Sequence, residues 1–267
     1  MKKSVLTLVS ALGLSALPSH GALLFSDNFN TADSASFDAA PTAGRLSGPL
    51  ASDVFLASWG AQQQINNNQL LIPAGGDSGV RFENTAGTAG GANRFDWAAG
   101  ATGASITSSG GFVVSFDWIP VDNTTDAWIS FQVGTINGDS GNLTDDDYGI
   151  LFRQNGGSER FDNTANLGAG TPHVASLGGG VRFVEITYAM NSFADASSVT
   201  ATTTVDGLQI ASDSFTWDAN GGAMYMEVGN NDPGNRVDNL TVSTIPEPTG
   251  PALLGLGVLC LFIRRRR

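Results

Sequence analysis

Between residues 22 and 245, the side chains that could carry acid–base chemistry are carboxylates and a single imidazole. The glutamates Glu83, Glu159, Glu185 and Glu227 lie far apart, and His173 follows a proline in a Thr-Pro-His loop sequence. Two carboxylates about 5 to 10 Å apart can cleave a glycosidic bond even when separate strands supply them. No Gly-x-Ser-x-Gly nucleophile elbow accompanies His173. An active site would therefore depend on the fold bringing distant residues together, and the alternative for His173 is an exposed or hydrogen-bonded loop position.

The distribution of charged residues and cysteine excludes several classes of protein. The chain of 267 residues has a formal net charge of −12, but its lysines are Lys2 and Lys3 and its one cysteine is Cys260. Residues 22–245 hold seven arginines against twenty-four carboxylates, a formal charge of −17. Disulfide scaffolds, thiol nucleophiles, Cys/His zinc sites and Schiff-base lysines lack their residues here. A surface this acidic also repels nucleic acid, which is bound through Lys and Arg.

Clusters of aspartate in the same region could bind calcium, which takes six to eight oxygen ligands. Residues 142–147 hold three consecutive carboxylates, and residues 122–126 hold two more with an asparagine between them. Neither cluster follows the EF-hand spacing. The alternative for each is a solvated loop whose charge maintains solubility.

The N-terminus has the pattern of a secretory signal peptide. Lys2 and Lys3 precede an apolar run from Val5 to Leu17, and small residues follow at Ser19 and Gly21. The run is too short for a stable membrane span, and its flanks fit export. We expect signal peptidase to cleave after Gly21 or, as the second choice, after Ala22, so that residues 1–21 form a removable signal helix.

The C-terminus has three parts in a fixed order. Pro246-Glu247-Pro248 precedes an apolar stretch from Gly250 to Ile263, and Arg264, Arg265, Arg266 and Arg267 end the chain. An apolar helix of this length measures about 22 Å, short of a hydrocarbon core of about 30 Å. The arginines favour the cytoplasmic side, which places the rest of the chain on the outside. The prolines cannot continue a helix and leave the backbone extended.

This order of motif, apolar helix and arginine tail resembles the PEP-CTERM sorting signal of Gram-negative bacteria, here in residues 244–267. The resemblance implies a transient inner-membrane anchor with its N-terminus out and C-terminus in. It also implies that exosortase recognises Pro246, Glu247 and Pro248 as substrate residues. The protein would then be released or transferred to the cell surface, in bacteria that often make exopolysaccharide. The alternative is a plain C-terminal membrane anchor.

Between the two ends the sequence predicts antiparallel β-structure. Apolar residues alternate in Phe112–Trp118 and again in 127–133, and turn-forming residues recur at intervals of about 10 to 15. Asp206-Gly207 between two such runs is the strongest hairpin signal. We therefore expect residues 22–243 to form one β-sandwich domain.

The pattern resembles the jelly roll of concanavalin and laminin-G domains, through Leu24–Phe29, the Asp206-Gly207 hairpin and Arg236–Val242. The resemblance implies that the first and last strands pair. It also implies that Asp27 and Asp238 approach each other, where related sandwiches hold a structural calcium ion. The Glu-x-Asp-x-x-Glu pattern of laminarinase-like hydrolases with this fold is absent.

Trp128 lies opposite the apolar face of its predicted strand, which makes it the best candidate for stacking on a sugar ring. Burial against another layer is the alternative interpretation.

These observations favour an exported, non-enzymatic protein of the cell surface or extracellular matrix that associates with exopolysaccharide. The alternatives are a carbohydrate-binding module with a defined glycan site and a divergent polysaccharide hydrolase or lyase.

Overall fold

Short alternating runs bounded by Gly, Asn, Asp and Ser form strands along the chain, as the sequence pattern predicts. The computed structural model describes residues 21–73, 78–84, 94–120, 128–134, 146–153, 157–161, 172–174, 177, 180–217, 222–230 and 233–246. Its strands are β1 Leu23–Asp27, β2 Leu46–Ser47, β3 Val54–Trp59, β4 Gln64–Asn66, β5 Gln69–Leu71, β6 Ser78–Asn84, β7 Gly111–Ile119, β8 Ile129–Gly134, β9 Asp146–Arg153, β10 Gly157–Phe161, β11 Pro172–Val174, β12 Arg182–Ala189, β13 Ser198–Val205, β14 Leu208–Thr216, β15 Tyr225–Asn230 and β16 Arg236–Thr244. A 3₁₀ turn at Phe37–Ala39 and a helix, α1, at Gly100–Ser108 accompany them.

The strands form two antiparallel sheets. The first sheet has the order β14-β13-β12-β7-β16-β1-β2, with β5 also paired to β16 and β4 to β5. The second sheet has the order β11-β10-β9-β8-β15-β6-β3. The predicted all-β fold class, an antiparallel sandwich of the jelly-roll type, is confirmed.

The apolar faces of the two sheets meet in one hydrophobic core. On β7 the inward residues are Phe112, Val114, Phe116 and Trp118, all buried as their alternation predicts. The Phe116 ring lies 6.4 Å from the ring of Phe131 on β8, centroid to centroid, which joins the two sheets across the core. Stacked and edge-to-face ring pairs of this kind add about 0.5–1.5 kcal/mol beyond the area that they bury.

The first and last strands pair, as the jelly-roll resemblance implies. Leu23 is opposite Ser243 and Asp27 is opposite Leu240 in an antiparallel register. Since β16 also pairs with β7 on its other side, the last strand lies in the interior of the first sheet and not at its edge.

The predicted hairpin joins β13 to β14. Asp206 and Gly207 have φ angles of 52° and 78°, and Val205 is paired with Leu208 across the turn. Two consecutive residues with positive φ are typical of a type I′ turn, which explains why Asp-Gly occupies the turn.

The predicted signal helix and the apolar stretch Gly250–Ile263 lie outside the described residues. In the ranges that the structure covers, no helix has both the length and the apolar character needed to cross a membrane.

Candidate functional site

Asp27, predicted as a calcium ligand, lies at the end of β1 with its side chain fully buried. Its Oδ1 is 3.0 Å from Arg45 Nε and accepts a hydrogen bond from the Phe29 backbone N–H at 2.9 Å. The Arg45 guanidinium lies over the Phe37 ring, 4.6 Å from its centroid. An arginine therefore neutralises the carboxylate for which the jelly-roll resemblance implied a calcium ion.

Asp238 lies on β16 directly opposite Asp117 on β7. Burial raises the pKa of Asp238, and the charge of Asp117 raises it further. The charge of Asp238 in turn contributes, as the smallest of the causes, to the raised pKa of Asp27. In the strand register Asp27 is opposite Leu240, two residues along β16 from Asp238. Within the described ranges, however, no three His, Cys, Asp or Glu side chains are grouped so that they could hold a metal ion. Calcium at Asp27 and Asp238 stays a prediction.

Asp27 should make the stability of the domain fall as pH rises. Burial raises its pKa to about 6 from 3.8, against the opposing effect of Arg45, so the folded state favours the protonated carboxyl. This contribution is fully present below about pH 4 and is lost as pH rises through 6. From pH 4 to pH 7 we expect the free energy of unfolding of the wild type to fall by about 2 kcal/mol relative to that of Asp27→Asn. Urea unfolding of both proteins at each pH measures this difference, and parallel profiles would contradict the prediction.

Trp128, predicted to stack on sugar, is only 3% exposed. It packs with Leu151 in a small apolar cluster. A Cβ added to Gly229 would lie 3.6 Å from Trp128 Cζ3, so the ring also lies close to that glycine. The proposal that Trp128 offers an exposed stacking surface is therefore wrong, and the alternative of burial is correct.

The remaining predicted sites fall mostly outside the described residues. Gly21 and Ala22 lie at the start of the described chain, and Pro246 is exposed at its end. Glu247, Pro248 and the arginines of residues 264–267 follow the last described residue. The aspartates of residues 122–126 fall in the gap between the described ranges 94–120 and 128–134. His173 belongs to β11, but its side chain is not among those described.

A set of polar side chains that the sequence did not single out gathers on the outer face of the second sheet. Arg81 on β6 is opposite Glu227 on β15, and Glu227 is opposite Gln132 on β8. Because their sequence neighbours point into the core, these three side chains point away from it. Together with three nearby polar residues they form a set, called here the outer polar face, whose members are 0 to 5% exposed: Arg81, Glu83, Arg94, Ser130, Gln132 and Glu227.

Two buried ion pairs organise the outer polar face. Arg94 Nη1 lies 2.9 Å from Glu227 Oε2, and both side chains are 0% exposed. Arg81 Nε lies 2.5 Å from Glu83 Oε1. Each guanidinium thus has a carboxylate partner, which is the condition under which a protein interior tolerates charge.

A third pair extends this face to β9 and β10. Arg153 donates to Glu159 Oε1 from Nε at 3.1 Å and from Nη2 at 2.6 Å. Their side chains are 16% and 12% exposed, more than those of the two buried pairs. These three Arg–Glu pairs are each formally neutral, in a strongly acidic domain.

Amide and hydroxyl groups lie beside the ion pairs. Gln132 Nε2 donates to Ser130 Oγ at 2.8 Å. A Cβ at Gly229 would approach these two atoms to 2.8 and 2.7 Å, so the position favours glycine. The buried aromatic side chains of Trp59 and Tyr225 lie on the same side of the sheet. The face therefore combines planar polar groups with aromatic rings.

One sequence signal could have revealed the outer polar face. Arg81, Gln132 and Glu227 each stand between two apolar residues in a strand of the second sheet. A long polar side chain at the outward position of an interior strand is normally solvated, and here it is buried.

The C-terminal residues are the part of the chain that matches a known family. The sequence profile of the PEP-CTERM protein-sorting motif matches residues 244–267. The chain carries a PEP-CTERM sorting motif. This motif implies an exported protein with a C-terminal membrane anchor before processing, and exosortase as the processing enzyme. No curated protein matches the sequence.

Several solved structures with a similar backbone fold have names that mention a carbohydrate. The carbohydrate recognition domain of Emp46p, in its potassium-bound form, has a TM-score of 0.48 and 8% identity over 74% of this chain and 90% of its own. A variant of the alginate lyase Aly36B in complex with an alginate tetrasaccharide has a TM-score of 0.46 and 10% identity, over 86% of this chain and 99% of its own. The lectin UEA-II complexed with galactose has a TM-score of 0.41 and 11% identity, over 72% of this chain and 92% of its own. At these identities, function has to be argued from this chain's own residues.

Proposed function

We propose that the protein is a non-enzymatic carbohydrate-binding domain that its PEP-CTERM signal delivers to the cell surface or extracellular matrix, where it associates with exopolysaccharide. The observation that supports binding is the Arg153–Glu159 pair, which is partly exposed beside the buried outer polar face. Its guanidinium and carboxylate offer fixed donors and acceptors to sugar hydroxyls. The Arg153–Glu159 pair is the accessible end at which a glycan would make its first contact.

The charge of this face favours a neutral glycan. Each of its arginines is already engaged by a glutamate, so the carboxylate of an acidic sugar would have to displace a protein carboxylate. The formal charge of −17 on residues 22–245 also repels a polyanion before contact. We therefore expect a polyhydroxylated, uncharged chain as the ligand.

The same pairs argue against a hydrolase or lyase. Glu83 and Glu227 lie on neighbouring strands, as a pair of catalytic carboxylates would. Each one, however, is held by an arginine and is not presented as a proton donor. Binding is therefore the better supported use of this face.

The arginines at the C-terminus support an orientation for the precursor. Four cations at residues 264–267 would stay on the cytoplasmic side, with the sandwich outside, in the inner membrane of a Gram-negative-type cell. In this proposal signal peptidase and exosortase process the two ends, and the inner membrane is a transient location.

Arg153→Ala tests the binding proposal with little risk to the fold, because the Arg153–Glu159 pair is partly exposed. Loss of a charged hydrogen-bonding group should weaken binding of a neutral polysaccharide about tenfold, as measured by calorimetry or a glycan array on the processed protein. The matched control is Arg182→Ala, which removes an arginine from an exposed pair with Asp206 on the first sheet. An equal loss of affinity in Arg153→Ala and Arg182→Ala would contradict the proposal. So would a wild-type protein that binds only acidic polysaccharides.

A further inference from the structure

The last strand is held on both sides up to its final residue. Thr244, the end of β16, is opposite Phe112 on β7, and Ser243 is opposite Leu23 on β1. Thr244 itself is almost completely buried. Because β16 is an interior strand, its C-terminal end cannot leave the sheet without breaking hydrogen bonds to two neighbours.

Four residues secure this end and are called here the terminal clamp: Ala22, Gly111, Thr244 and Ile245. The Ala22 backbone N–H donates to Thr244 Oγ1 at 3.0 Å, and the Thr244 N–H donates to the Ala22 carbonyl at 2.9 Å. The Ile245 N–H donates to the Gly111 carbonyl at 3.1 Å. A Cβ at Gly111 would lie 1.9 Å from the Tyr188 carbonyl oxygen and 2.9 Å from Ile245 Cδ1, so this position requires glycine.

The sorting motif begins immediately after the terminal clamp. Ile245 is the last clamped residue, and Pro246 next to it is exposed. A peptidase binds several residues on each side of the cleaved bond as extended backbone, and backbone that is buried and hydrogen-bonded resists cleavage until it opens locally. The residues on the N-terminal side of the motif are therefore unavailable to an enzyme while the clamp is closed.

We propose that the terminal clamp controls processing at the PEP-CTERM motif, with Thr244 and Ala22 as positioning residues that limit access by exosortase. Processing of the folded chain then proceeds through local opening of the Ala22–Thr244 contact. In this proposal the chain is cleaved after Gly21, so that Ala22 is the first residue of the exported protein and supplies both a donor, its amino group, and an acceptor, its carbonyl, to the clamp. The N-terminal strand thereby regulates an event at the C-terminus.

The test is a pulse-chase measurement of processing in the exporting host, with the full chain, three variants and one combination of two of them. Thr244→Val keeps the branched shape of the side chain and removes the acceptor of the Ala22 N–H. Thr241→Val is the matched control, because it removes a side-chain hydrogen bond of the same strand, the 2.7 Å contact with Ser115, away from the clamp. The third variant inserts a six-residue Gly-Ser linker between Ile245 and Pro246, alone and combined with Thr244→Val.

We expect Thr244→Val to speed processing about fivefold, the effect of one neutral hydrogen bond on the opening equilibrium. Thr241→Val should process at the wild-type rate. The linker alone should speed processing at least as much as Thr244→Val does. In chains that carry the linker, Thr244→Val should process at the same rate as the chain with the wild-type threonine. Equal rates for Thr244→Val and wild type, equal acceleration by Thr241→Val, or a linker with no effect would each overturn the proposal. Absence of processing in every protein, the wild type included, would instead contradict exosortase sorting, on which this proposal rests.

Discussion

Glutamine in place of Glu227 is expected to lower the free energy of unfolding by about 3–5 kcal/mol, the cost of leaving one member of a buried ion pair without its partner. The variant is nearly isosteric, so the loss reports charge and not a cavity. Arg94 would keep its guanidinium at 0% exposure without the carboxylate that lies 2.9 Å from Nη1. Urea unfolding followed by tryptophan fluorescence at neutral pH measures the loss.

The matched control is Asp206→Asn, which removes the carboxylate of the exposed Arg182–Asp206 pair. Exposed pairs contribute little, so its cost should stay below about 1 kcal/mol. Replacing both members of the buried pair, with Arg94→Met and Glu227→Leu together, should recover most of the loss, because no uncompensated charge then remains. If Glu227→Gln lowers the free energy of unfolding no more than Asp206→Asn does, the buried pair does not contribute the expected loss of about 3–5 kcal/mol.

The expected recovery in the double variant bears on why the buried pairs exist. A buried ion pair is weak support for stability, since apolar residues of similar volume often serve as well or better. Two such pairs on the outer side of the second sheet therefore do not by themselves account for the stability of the domain. This reasoning separates the outer polar face from the core, where rings and aliphatic side chains already account for packing.

The alternation of apolar residues was sufficient to predict the strands and the class of fold. In Phe112–Trp118 the inward positions follow directly from the period of two, and the hairpin follows from the need for two positive φ angles at Asp206 and Gly207. These are local properties that neighbouring residues determine. The sorting motif could also be identified from the sequence, because its three parts are contiguous.

The outer polar face could not be predicted in the same way, because its contacts depend on strand order. Arg94 and Glu227 are 133 residues apart, and only the pairing of β15 with β6 and β8 brings Glu227 beside its partners. The burial of Trp128 could not be predicted for the same reason. Its outward position follows from the alternation of its strand, but its burial depends on contact with Leu151 of β9. For Asp27, the partner Arg45 immediately precedes β2, and no sequence pattern places β2 beside β1.

Replacing Pro246, Glu247 and Pro248 together by alanine is expected to abolish processing at the C-terminus. Proline disfavours helical backbone and alanine favours it, so the replacement removes the conformational preference of the motif as well as its side chains. Mass spectrometry of the protein from its host should find loss of mass near Pro246 in the wild type and a chain intact through Arg267 in the variant.

The control for this replacement is Pro251→Ala, which removes a proline from the apolar stretch and leaves Pro246-Glu247-Pro248 intact. It should be processed like the wild type if the Pro-Glu-Pro residues themselves are recognised. A wild-type chain that stays intact through Arg267 would contradict sorting and would leave a plain anchor as the function of the apolar stretch. Processing of the triple variant at the wild-type rate would instead show that recognition depends on the apolar stretch and the arginines. Because Pro246 follows the last clamped residue directly, the triple variant separates chemical recognition of the motif from the access that the terminal clamp controls.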